Sequence, residues 1–268
     1  MTAIDFDSAA GAPPTVARYV VASRTPPRLT ETVAVAEKVR EALQSLSDGA
    51  EVFSGKTGRG KPLAGHGHAF VLCEADAQRG RLRHVTVYAA MGFDDPARQA
   101  FARLARVWGF GGEDLHLALA GIGRPEDFAG RDVAAGKCPL LDSSRVWVSH
   151  TPFVPTRFAK ATHTGEPKLD GRGLQIGSPE HDLRRLIGDR FPAPVSVAAL
   201  RETMLGGSLT PWSAFRTRRR RGGGRRSTAA GYGFRVEFGE PVRGPIAVGY
   251  GAHFGLGTFT PEDGYALS

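Results

Sequence analysis

The sequence predicts an α+β chain of tandem ferredoxin-like (RRM-like) units, the second of them degenerate. Three observations lead there. The apolar patterns of residues 15–123 run strand, helix, strand, strand, helix, strand, the order of a split βαβ unit with an antiparallel sheet and both helices on one face. The 35 glycines and 18 prolines among 268 residues favour strands joined by many turns over a helical bundle. A looser series of strand and helix patterns recurs over residues 145–268.

Residues 1–14, acidic and rich in small side chains, read as a flexible tail, unlike a signal or transit peptide. Ala17–Ser23 (ARYVVAS) is short, apolar and β-branched, hence a strand. Thr30–Leu46 follows as a helix, with Thr30 as its N-cap and Val33, Ala36, Val39 and Leu43 on one apolar stripe. His68–Glu74 (HAFVLCE) and Leu82–Tyr88 (LRHVTVY) are strands joined through a polar turn at Asp76–Gly80, a hairpin. Asp94, Asp95 and Pro96 open a second helix that is expected to reach Trp108, with Phe101, Leu104 and Val107 inward. Leu115–Ile122 completes the unit as a strand.

Residues 124–144, rich in Gly, Asp and Arg, read as a linker. Arg145–Phe153 restarts a strand at the head of the second domain, residues 145–268. Thr156–Pro179 is a polar loop, Glu180–Asp189 a helix and Val195–Leu200 extended. Phe234–Phe238 and Ile246–Tyr250 are expected as strands flanking a Pro241–Pro245 turn, with an Arg-rich insert at a hairpin tip.

Composition narrows the function classes. No apolar run approaches the eighteen or so residues of a membrane span. Cys73 and Cys138 are the only cysteines, which excludes a disulfide scaffold and a cysteine-only zinc site. A cytoplasmic protein that engages no membrane is expected. Net charge is +8 and the pI about 9.9, with the excess concentrated late. Residues 201–268 carry 10 basic and 5 acidic groups, and seven arginines fall within Arg216–Arg226: Arg216, Arg218, Arg219, Arg220, Arg221, Arg225 and Arg226. Clustered cations suit a polyanion, because each phosphate neutralised releases condensed counterions. The alternative is a solvated Arg-rich loop.

Gly65-His66-Gly67-His68 sits where the loop after the first helix enters a strand. In extended chain the two histidines point the same way. They suit proton transfer, or two ligands of a metal, or they are exposed loop residues without a ligand. A metal reading needs a third ligand, from His84, His253 or an acid, and no His/Asp/Glu spacing specifies one. Lys56, Arg59 and Lys61 lie just upstream and suit a phosphate. His84 in His-Val-Thr reads as packed, because phosphoesterases with that motif need two copies. The run 249–257, GYGAHFGLG, is too strand-like downstream for a dinucleotide fingerprint. Its glycines allow close backbone approach to a phosphate chain or to another strand.

Four blocks, SGKTGRGKPLAGHGHAF, HVTVYAAMGFD, RVWVSHTPFVPTR and GPIAVGYGAHFGLGTF, resemble the CRISPR-associated fused "five–six" subunit of type I-U (I-G) systems. They keep the family order over about residues 15–260 and match its second half, the "Cas six" repeat-RNA endoribonuclease. The resemblance implies tandem ferredoxin-like domains and a metal-independent ribonuclease, with no metal and no cofactor, that processes CRISPR precursor RNA within its repeats. The ribose 2′-OH attacks the adjacent phosphate, giving a 2′,3′-cyclic phosphate and a 5′-OH. His66 and His68 match the histidine block, with Lys61 or Arg59 to stabilise charge. The glycine-dense run matches an RNA-facing loop, making Gly251, His253, Gly255 and Gly257 binding residues. Implied partners are CRISPR repeat RNA, the processed crRNA and other type I effector-complex subunits. The competing readings are a non-catalytic guide-RNA-binding subunit and a histidine-liganded metal hydrolase.

Overall fold

The computed structural model describes residues 12–110, 113–220 and 228–262. Strand β1 (Val16–Val21) lies mid-sheet because its residues alternate between two buried faces. Ala17 and Tyr19 face the helices, and Val16 and Arg18 the opposite side. A 3-10 turn, Leu29–Glu31, leads into α1 (Thr32–Leu46), and the short α2 (Glu51–Ser54) follows. Strands β2 (Phe70–Ala75) and β3 (Leu82–Tyr88) form the expected hairpin. Helix α3 (Asp95–Arg103) is capped by Asp94, whose side chain accepts from Ala97 N at 3.0 Å. Strands β4 (Arg106–Phe110) and β5 (Glu113–Gly123) close an antiparallel sheet of order β2-β3-β1-β5-β4. Without the extra edge strand β4, this is the split βαβ order.

Helices α1 and α3 bury Val35, Val39, Leu43 and Phe101 against Tyr19, Val71, Val85 and Val87. Phe101 stands edge-on to Phe53 and Phe93, with centroids 5.3 and 4.7 Å away, a favoured aromatic geometry.

Two helix expectations are corrected. Leu104 turns extended (ψ 98°), so the chain leaves α3 at Arg103 and residues 106–110 pair with β5; Leu104 and Val107 stay buried, as the apolar pattern required. Thr30 lies inside the 3-10 turn and is not the N-cap of α1, a position taken by Glu31.

The second face of the sheet is covered. Residues 124–142, expected as a linker, form α4 (Pro125–Phe128) and a strap whose Cys138, Leu140 and Leu141 pack on Val16, Phe70 and Leu72. Beneath it Arg18 is ion-paired with Glu74 and donates to Thr86 Oγ1 at 2.8 Å and to the Lys137 carbonyl at 3.0 Å. RRM sheets stack bases on this face; here the chain's own strap occupies it. The expected tail also ends in packed residues, since Pro13 lies against Gly92 and the Pro14 carbonyl accepts from Phe93 N at 2.8 Å.

The rest of the chain forms β6 (Ser143–Ser149), α5 (Pro179–Gly188), β7 (Ser196–Leu200), the hairpin β8 (Glu202–Leu205) and β9 (Ser208–Pro211), β10 (Gly233–Arg243) and β11 (Phe259–Pro261). The second sheet has the order β11-β6-β10-β7. Residues 156–178 are a loop without a strand, tied down where Asp182 accepts from Thr156 N at 2.6 Å.

Two expectations fail here. Strand β10 runs through Pro241 with a bulge between Glu237 and Val242, where a turn was expected. Ile246–Tyr250 is no strand, and residues 244–258 form a turn-rich crossing with one 3-10 turn at Ala252–Phe254. Gly257 shows why: at φ +58° a Cβ would sit 1.9 Å from the Val248 carbonyl, so the chain folds back on itself there. No helix among the described residues is long and apolar enough to cross a membrane.

Candidate functional site

Three imidazoles converge from two distant segments. His66 and His68 end the loop before β2, and His253 sits in the 3-10 turn of the glycine-dense crossing. The His253 ring is fixed on all sides. His68 stacks on one face (centroids 3.8 Å, planes 8° apart) and Phe70 on the other (3.9 Å, 27°). His253 Nδ1 lies 3.1 Å from the Ala69 carbonyl, and its Nε2 lies 3.1 Å from His66 Nδ1.

These contacts fix the tautomers. A carbonyl only accepts, so His253 Nδ1 must carry the proton. Burial, then His68, holds the His253 imidazole well below its ordinary pKa, with Arg40 and His66 adding to this against the Ala69 carbonyl. The ring is therefore neutral near pH 7, and its Nε2 is an acceptor. His66 Nδ1 must then donate to it. His66 is itself lowered, first by burial and then by Arg190, with Asp189 opposing. Neutral His66 thus keeps an unprotonated Nε2 on an exposed side chain, the arrangement of a general base held in one tautomer.

His68 borders an open groove of about 520 Å³ that also exposes His253, Lys56, Arg40, Arg219 and Phe254. Burial, Arg40 and His66 push the His68 imidazole down to about 4. Arg219 lies over the Phe254 ring at 3.8 Å and Arg40 over it at 5.0 Å. Arg40 is lowered to about 10 by burial and by the like charge of Arg219. On the other side of the histidines, Arg190 stands 5.3 Å from the Phe70 ring and donates to the Ala247 carbonyl at 3.2 Å.

The expected site residues separate. His66, His68 and His253 come together. Lys61 lies on an exposed turn between Lys56 and Pro62, away from the groove, and Lys56 lines it instead. Arg216 approaches Glu31 (3.9 Å), Arg218 is exposed, and the Glu37 carboxylate receives Arg219 Nε at 3.4 Å and Arg220 N at 3.0 Å. Arg221, Arg225 and Arg226 lie outside the described residues. Gly251, Gly255 and Gly257 each lie tight against a neighbouring part of the chain. A Cβ on each would meet Leu256, Thr32 and Val248 respectively, so the close approach they permit is to the chain itself.

His84 is packed beside Arg18 and Glu74, and burial followed by Arg18 lowers it to about 4. Among the described residues no three His, Cys, Asp or Glu side chains gather as a metal site.

Glu37, Arg40 and Arg190 were not singled out from the sequence. A signal existed for two of them: Glu37 and Arg40 each fall four residues after a stripe position of α1 (Val33 and Ala36), so they are charges on a buried helix face.

No family model and no curated protein matches the chain. Among solved structures it is similar to "An RAMP protein binding different RNA substrates", at 12% identity over 91% of this chain and 97% of that one, with a TM-score of 0.40. It is also similar to a "Cas6" product complex, at 14% identity over 94% of this chain and 100% of that one, with a TM-score of 0.41. Neither likeness bears on which residues act here.

Proposed function

We propose that the protein is a metal-independent endoribonuclease that cuts CRISPR precursor RNA within its repeats by 2′-OH attack. The observation that carries this reading is the chain His66 Nδ1–H, His253 Nε2, His253 Nδ1–H, Ala69 carbonyl, which leaves His66 Nε2 open as a base. In the proposed step His66 Nε2 takes the proton of the 2′-OH, the O2′–P bond forms and the P–O5′ bond breaks. The His66 imidazolium strengthens its bond to His253 as charge develops. Arg190, whose charge already reaches His66, offsets the phosphorane charge in place of Lys61. The leaving O5′ takes its proton from His68 on the groove side, where a bound phosphate raises its imidazole back toward neutrality. The products are a 2′,3′-cyclic phosphate and a 5′-OH.

The four sequence blocks support the repeat-RNA substrate, and two of them supply the histidine chain. The strand order of the second sheet supports tandem ferredoxin-like units. Strands β11-β6-β10-β7 stand in the same order as β5-β1-β3-β2, with α5 as the first helix and the glycine-dense crossing where the second would lie. That substitution is what makes the second unit degenerate.

The deciding experiment incubates end-labelled repeat RNA with the protein in excess chelator, beside the same RNA carrying a 2′-deoxyribose just 5′ of the cut. Cleavage in chelator that the deoxy substitution abolishes supports the reading. Cleavage lost in chelator points to a metal hydrolase, and binding without any cleavage to a passive guide-RNA subunit.

A further inference from the structure

We propose that the groove beside the histidines contains a phosphate cradle, formed by Arg40, Arg219, Lys56 and the groove edge of His68. The cradle rests on geometry; its assignment to an RNA phosphate rests on the nucleic-acid reading above.

Arg40 is 8% exposed, yet the described residues give its guanidinium no carboxylate. Its Nε is spent on the Phe53 carbonyl at 2.6 Å, and its plane approaches the Phe254 ring. A second guanidinium, Arg219, covers the same ring, so two like charges share one apolar platform. Glu37 already meets Arg219 at 3.4 Å, so the charge left without a carboxylate is that of Arg40, and an anion in the groove would offset it.

Space for that anion is present. Gly55 adopts φ +67°, and a Cβ there would come within 3.0 Å of Arg40 Nη2 and 3.1 Å of His68 Nε2. Arg40 and His68 thus converge beside the Gly55 backbone, and the room for an anion is the open groove of about 520 Å³ that both line with Lys56 and Arg219. Neither of the groove's own acids is paired with Arg40, since Glu41 pairs with Lys38 at 3.2 Å and Glu37 holds Arg219 Nε and Arg220 N. A planar guanidinium with a nearby lysine is the donor set that suits phosphate oxygens.

The test uses the whole chain and begins with inorganic phosphate at constant ionic strength. NMR titration of the wild-type histidines should show the His68 pKa rising on phosphate addition, as an anion at the cradle favours the imidazolium. An unmoved His68 would overturn the cradle without recourse to any variant. Arg40→Gln should weaken phosphate binding about tenfold or more, the scale of one charge-assisted bond. Arg40→Lys should restore part of it, with melting temperatures recorded for both.

The RNA source is tested with uncleavable deoxy-substituted repeat RNA carrying one neutral methylphosphonate at successive linkages. One linkage should lose about tenfold affinity in wild type and nothing in Arg40→Gln. If every linkage behaves alike in both proteins while phosphate still binds, the cradle serves a free phosphate and its RNA assignment falls. Because cleavage is not read, a failed ribonuclease reading leaves these outcomes intact, whereas a failed cradle leaves His66 as the base and passes the proton donation to O5′ from His68 to another group.

Discussion

At the residue scale, the separation of His66 from Lys61 gives two opposite expectations. His66→Ala should slow single-turnover cleavage by about 10²- to 10⁴-fold, the usual contribution of a positioned base, with RNA affinity nearly unchanged. Lys61→Ala should leave the rate within about threefold, because an exposed charge away from the reacting phosphate is screened by solvent. A rate loss for Lys61→Ala equal to that of His66→Ala would mean the turn closes over the RNA and Arg190 is the wrong cation. The pH profile carries a sign. His66 is lowered in the free protein, so the acid limb of kcat/KM should fall below about 6.5, the ordinary histidine value. Bound RNA brings phosphates beside the ring and favours the imidazolium, so the acid limb of kcat should lie higher.

At the element scale, α1 holds the start of the Arg-rich segment through Glu37. Glu37→Gln removes the ionic half of that hold on Arg219 and Arg220. Limited trypsin digestion should then cut after Arg218–Arg220 faster than in wild type, with the melting temperature of the remainder little changed. Equal digestion rates would show that Phe254 alone anchors the segment. The glycine-dense crossing makes the opposite kind of prediction. Gly257→Ala places a methyl on the Val248 carbonyl at positive φ, and should destabilise the fold by about 2 kcal/mol or more, read as a shift in the urea midpoint. A binding-loop glycine would instead lose RNA affinity at unchanged stability. How much of these elements was legible follows the same division. Asp94 as a cap and the hairpin around Asp76–Gly80 depend on contacts a few residues apart, and the sequence carries them. The end of α3 and the loss of a strand at 246–250 depend on what lies opposite, β5 in one case and Val248 with Gly257 in the other.

At the scale of the whole molecule, charge and protonation give the last two predictions. Arg218 and Arg220 are exposed in the described part of the basic cluster. Replacing both with Ala should flatten the dependence of log affinity on log salt, by about 0.7 for each phosphate of single-stranded RNA that is no longer neutralised. An unchanged slope would leave the cluster a solvated segment. Stability should also fall in mild acid. His68 and His84 sit at about 4 in the folded chain, with His150 and His253 also lowered by burial, against about 6.5 when unfolded. Between those values the unfolded chain binds more protons, so stability is complete above about pH 6.5 and drains as pH falls toward 4. The paired carboxylates Glu74 and Asp182 are lowered and add their loss only further down. Urea midpoints that stay level between pH 7.5 and 5 would show that the imidazoles are not held neutral.

The sequence alone determined the order β1, α1, β2, β3, α3 and β5 and missed α2 and β4, because apolar periodicity is a local signal that survives without knowledge of partners. It also marked the basic cluster and the histidine pair, since residue type and spacing along the chain are enough to raise them. Tertiary structure decided which of those residues act together. His253 lies 187 positions from His66, yet it fixes that ring's tautomer through a 3.1 Å bond. No periodicity encodes a contact of that separation. Arg40 becomes a ligand candidate only because it lines one groove with Lys56 and His68 and Phe254 draws Arg219 to the same platform. The strap over the sheet was decided in the same way. Residues 124–142 look like a linker until Arg18 and Glu74, buried on the far face, require something to cover them. A buried charge states its need for a partner, and the fold chooses which segment meets it.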